Sequence, residues 1–64
     1  MADIGSRLRQ AMKNVGITPK ELAEFCGISL SSVRMYIYGE RVPRDPVKIR
    51  IATALGSSVE SLFF

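Results

Sequence analysis

A chain of 64 residues with one cysteine, no histidine and a net charge of +3 has room for one domain, residues 1–64, and for neither an intrachain disulfide nor an ordinary zinc site. No apolar run approaches the roughly 18 residues a membrane span requires, and the opening MADIGSRLRQ is too polar for a signal peptide. A soluble, cytoplasmic protein is therefore expected, its lone thiol suited to a reducing compartment and its stability left to helical packing or a partner subunit.

Ile4, Leu8, Met12 and Val15 recur at steps of four, four and three, which places them on one face of a first helix. Asp3 can cap its start and Gly16 can end it, while Arg7, Arg9 and Lys13 fall on other faces. Thr18-Pro19-Lys20-Glu21 opens a second helix: the threonine hydroxyl can accept from the Glu21 amide, and the glutamate can reach back to the Thr18 amide. Proline is tolerated at the first helical position, where its missing donor would have had no partner. Leu22, Phe25 and Cys26 form the expected inward stripe, with Ala23 small enough for a close helix crossing.

Gly27 turns the chain, and Ser29 caps a third helix that runs from Leu30 to about Tyr38 and stops at Gly39. Val33, Tyr36 and Ile37 share its inner face. Leu30, Ser31, Arg34, Met35 and Tyr38 remain on the outer one, and an outer face that includes Leu30 and Met35 calls for a function. After a basic loop from Glu40 to Arg44, Asp45-Pro46 is expected to open a fourth helix by the same cap-then-proline device. Val47, Ile51, Ala52 and Leu55 supply its buried stripe, and Gly56 ends it. Ser57-Ser58-Val59-Glu60 reads as a capping box for a short fifth helix carrying Val59, Leu62 and Phe63. No strand alternation, repeat or linker interrupts this order.

The charge is unevenly placed. Residues 34–50 carry Arg34, Arg41, Arg44, Lys48 and Arg50 against Glu40 and Asp45, a net +3, whereas residues 1–33 carry +1 and residues 51–64 carry −1. A cationic cluster beside an exposed helix face is an electrostatic footprint for phosphate, the alternative being an ordinary solvated face. Nothing in the chain suits catalysis: there is no histidine, no glycine-rich phosphate loop and no cluster of metal ligands. No catalytic residue, metal or cofactor is expected, and Cys26 reads as a core thiol.

In this order the chain resembles the Cro and lambda-repressor-like helix-turn-helix family. The resemblance rests on LAEFCGIS (22–29), VRMYIYGERVP (33–43), IATALG (51–56) and SVESLFF (58–64). The family's leucine-alanine pair and two glycines are matched by Leu22-Ala23, Gly27 and Gly39. It implies an all-α, compact five-helix domain in which residues 18–39 form the helix-turn-helix. Two positions depart from the family pattern. Pro19 stands where members often have a phosphate-contacting glutamine, and Ile37 stands where many have a glutamate.

The resemblance further implies that the third helix enters the major groove of double-stranded DNA, with Leu30, Ser31, Ser32, Arg34, Met35 and Tyr38 at or near the bases. Arg34 can pair with guanine or with a phosphate; Leu30 and Met35 can press on thymine methyls or fill core gaps. Thr18, Lys20, Arg41 and Arg44 would hold the backbone, the first two through the amides that open the second helix. One small module covers little DNA, so a homodimer on a palindromic operator is expected, with Leu62 and Phe64 at its contact. The function implied is that of a transcriptional regulator, a phage or mobile-element repressor without a small-molecule ligand. A protein-interaction or antitoxin-like module on the same scaffold is the alternative.

Overall fold

The computed structural model describes residues 3–64 and places five helices in this order: α1 (Ile4–Val15), α2 (Pro19–Cys26), α3 (Leu30–Ile37), α4 (Asp45–Ala54) and α5 (Val59–Phe63). No strand occurs among the described residues. The boundaries follow local chemistry. Asp3 accepts the Ser6 amide at 2.7 Å to start α1, and Ser29 accepts the Ser32 amide at 3.1 Å to start α3. The box at α2 is complete: the Glu21 amide donates to Thr18 Oγ1 at 3.1 Å, and the Thr18 amide donates to Glu21 Oε1 at 3.0 Å.

Two caps differ from the sequence expectation. Asp45 is the first residue of α4 instead of its cap; Arg44 holds the cap position and makes no side-chain capping bond. The Asp45 carboxylate instead lies 3.7 Å from Lys48 Nζ, one helical turn on. At α5 the cap is Ser58, which accepts the Ser61 amide at 3.0 Å. That register puts Ser61, not Glu60, at the third helical position, so no reciprocal box forms.

α1 packs on α3 and α5, α2 on α3 and α4, and α4 on α5. Leu8, Leu22, Cys26, Val33 and Ile51 are the most deeply buried side chains, each from a different turn of the first four helices. Met12, Ala23, Tyr36, Ile37, Ala52, Leu55, Leu62 and Phe63 complete the core, so Ile37 is a core residue as its sequence position suggested. The radius of gyration is 10.1 Å, close to the ~11 Å typical of a folded chain this long.

Two expected core positions lie outside it. Phe25 is 60% exposed, because the inner face of α2 is centred on Leu22, Ala23 and Cys26 and Phe25 falls beyond its edge. Val15, the last residue of α1, is also exposed.

Gly5 was not singled out by the sequence, and it sets the α1–α3 distance. A Cβ there would collide with the Ile37 carbonyl oxygen and lie 3.1 Å from the carbonyl carbon and 3.3 Å from the Gly39 amide nitrogen. The two helices therefore cross at backbone contact. The same Ile37 carbonyl accepts Arg9 Nη1 at 2.8 Å, so α1 also closes the C-terminal end of α3 with a charged donor.

Candidate nucleic-acid interface

The presentation of α3 depends on the turn before it. Gly27 takes φ 68°, a left-handed conformation that other residues adopt at a cost, and the Ile28 amide bonds back to the Ala23 carbonyl at 3.0 Å. This terminates α2 and lets α3 pack back on it, and Ala23 on α2 is buried. Cys26, at the end of α2, is buried. Desolvation pushes its thiol above the ordinary value, partly offset by the nearby Arg50 guanidinium, so the sulfur stays protonated at neutral pH.

Val33, Tyr36 and Ile37 anchor α3 inward. At about 100° per residue, Leu30, Ser31, Arg34, Met35 and Tyr38 fall within one outward arc. Ser31, Arg34 and Tyr38 are exposed, while Leu30 and Met35 are half-buried. Tyr38, following the last helical residue, is 67% exposed, a large projection for an aromatic ring. Ser32 does not join the arc. It faces the other side of the helix, and its hydroxyl accepts from Ser29 Oγ at 2.9 Å within the capping turn.

The cationic cluster of residues 34–50 divides into two groups once folded. Lys48 lies by Asp45 and over the rings of Phe63 and Phe64, 5.7 and 5.0 Å from their centroids. Arg50 donates to the Cys26 carbonyl at 3.3 Å, at the C-terminus of α2. The side chains of Arg34, Arg41 and Arg44 belong to exposed residues and make no hydrogen bond or ion pair among the described residues. They lie on the outer face of α3 and on the loop that follows, where buried Pro43 pins the chain. The cations left uncommitted are thus those nearest the outer face of α3.

Thr18 and Lys20 sit at the start of α2, and both are exposed. The Thr18 amide, expected to be available to an anion, is taken by the Glu21 carboxylate. These bonds hold that carboxyl below its ordinary value. Pro19 has no amide proton to offer. A negative side chain therefore already occupies the helix end, and Lys20 supplies the remaining positive charge.

Leu62, expected beside Phe64 on a subunit contact, is buried in the chain's own core. Phe64 is 74% exposed and borders a groove of about 310 Å³ with Ile49 and Val59. Ile49, itself 59% exposed, escaped the sequence reading. Its signal was an isoleucine lying off the Val47–Ile51–Leu55 stripe of its helix. Among the described residues no group of three or more His, Cys, Asp or Glu side chains is placed to hold a metal, and no helix is long and apolar enough to cross a membrane.

Residues 8–62 match the helix-turn-helix family of the Cro and lambda-repressor type, and the chain belongs to that family. The family is one of DNA-binding regulatory domains, so DNA is the partner class that the match supports. No curated protein and no solved structure matches the chain.

Proposed function

We propose that this protein is a sequence-specific transcriptional repressor of the kind phages and mobile elements carry, acting in the cytoplasm of the host cell. The observation that carries the reading is the outer face of α3. Leu30, Ser31, Arg34, Met35 and Tyr38 share one arc, with uncommitted Arg41 and Arg44 on the following loop. α3 lies in the major groove, Arg34 pairs with a guanine edge, and Leu30 and Met35 press on thymine methyls. Ser31 adds a hydroxyl that adapts to base or phosphate. Ser32, turned into the capping pair with Ser29, supports the helix end instead of reading a base. Arg41, Arg44 and Lys20 hold phosphates and set register.

Two copies bind a palindrome, because one module of this size buries on the order of 600–1,000 Å² of DNA-facing surface, too little for tight selective binding. The groove between Ile49, Val59 and Phe64 supports the subunit contact, since it exposes two large apolar side chains side by side.

Selection of the purified protein on randomised duplex DNA, with sequencing of the bound pool, tests the proposal. The expected result is an enriched two-fold palindrome with half-sites about 34 Å apart centre to centre. A pool without enrichment would overturn it, leaving the outer face of α3 to a protein partner.

A further inference from the structure

Pro19 and the capping box together reduce the anion donors at the start of α2: Pro19 has no amide proton, the Thr18 amide is held by the Glu21 carboxylate and the Glu21 amide by the Thr18 hydroxyl, which leaves the Lys20 amide. A DNA backbone passing this point needs another source of positive charge. The structure has one alongside. A groove of about 440 Å³ runs between α1 and the end of α3, with Pro19 and Ile37 among its lining. Arg9, Lys13, Arg34 and Tyr38 border it, and no carboxylate does.

The charges of this groove are held differently. Arg9 and Lys13 are one turn apart on α1 and face the same side. Arg9 is fixed: Nη1 donates to the Ile37 carbonyl at 2.8 Å and Nη2 to Ser6 Oγ at 3.1 Å. Its charge is therefore positioned without any ligand. Lys13 is exposed and makes no hydrogen bond or ion pair among the described residues, so its ammonium can reach an incoming anion. Tyr38 adds a phenolic donor on the opposite wall. Three cations around an apolar floor, with no carboxylate in the lining and Asp3 near Arg9 alone, form a focused positive potential.

We infer that this groove is a phosphate seat for the DNA backbone, built on α1, with Lys13 making the contact and Arg9 fixing the field. The inference rests on the proposed DNA-binding function and moves one backbone contact off the helix-turn-helix itself. It explains how the domain accommodates a proline where a side-chain donor would otherwise meet phosphate.

Lys13→Gln tests the inference through the salt dependence of binding to the selected duplex, measured by fluorescence anisotropy. Loss of one phosphate contact lowers the slope of log K against log salt by about 0.9 per bound protomer, an affinity loss of about eightfold per protomer at 0.1 M salt. Preference for the selected over a scrambled duplex is expected to be unchanged. Ethylation interference adds a positional readout: at least one phosphate whose ethylation blocks the unsubstituted protein is expected to become silent in Lys13→Gln. Lys13→Glu is expected to lower affinity further with the same folded circular dichroism spectrum.

An unchanged slope and footprint in Lys13→Gln, with selective binding by the parent protein intact, would overturn the phosphate seat alone. Failure of the parent protein to bind any duplex would remove the DNA-binding reading and the seat with it.

Discussion

Gly5→Ala separates two opposite expectations about one atom. In an isolated helix the change stabilises, since alanine is favoured over glycine by about 1 kcal/mol in a helix interior. In this fold the added methyl falls on the Ile37 carbonyl, and its other near neighbours, the Ile37 carbonyl carbon and the Gly39 amide nitrogen, are also backbone. No side-chain rotamer can relieve such a clash, so α1 and α3 must separate. Overpacking of this kind costs about 1–3 kcal/mol. Separation also weakens the Arg9–Ile37 bond across the same junction, worth on the order of 1 kcal/mol at a partly solvated site. Offsetting the helix-propensity gain leaves a net loss of about 1–3 kcal/mol. At about 4–8 °C per kcal/mol for a domain of this size, Tm should fall by roughly 5–20 °C. Thermal unfolding followed at 222 nm measures it directly. A Tm equal to or above that of the parent protein would refute the backbone-contact account of the α1–α3 crossing.

Further expectations can be checked with the same preparations. The Glu21 carboxyl is held below its ordinary value by Thr18, so its contribution is complete above the carboxylate value of the unfolded chain and is lost as pH falls through the lower folded value. Glu21→Gln should therefore reduce stability at neutral pH and flatten the Tm profile between about pH 5 and pH 2; an acid limb as steep as the parent's would contradict the capping box. Phe25→Ala should cost no more than about 1 kcal/mol in urea denaturation, against the 3–5 kcal/mol typical of a buried phenylalanine, because the ring is 60% exposed. On the selected operator, Arg34→Ala should relax preference at one base pair by about 1–3 kcal/mol, whereas Arg41→Ala should weaken all duplexes alike and lower the salt slope by about 0.9 per protomer. Exchange of those two signatures would reverse the base and phosphate assignments.

The sequence by itself determined most of the local events, the caps of α4 and α5 excepted, and the outline of the candidate interface. Thr18 with Glu21, Ser29, and Gly27 at the turn are groups whose own chemistry starts or stops a helix within three or four residues, and each acts as its type dictates. The outer arc of α3 was legible for the same reason: once Val33, Tyr36 and Ile37 face inward, helical spacing alone assigns Leu30, Ser31, Arg34, Met35 and Tyr38 to the other side. At that resolution the family match over residues 8–62 agrees with the spacing of Ala23, Gly27 and Gly39.

Other features depended on where the helices lie relative to one another. Ala23 and Phe25 flank the Leu22–Cys26 stripe on opposite sides, and only the positions of α3 and α4 decide that the small residue turns inward and the large one outward. The same packing divides the basic residues, tying Arg50 to the end of α2 and Lys48 to Asp45 and the terminal rings, while Arg34, Arg41 and Arg44 stay uncommitted. Gly5 in contact with Ile37, and Arg9 and Lys13 across a groove from Tyr38, join residues far apart in the chain. Periodicity gives the direction of a side chain about its own helix axis; what that side chain meets depends on the crossing of helices, which side-chain volumes throughout the core decide together.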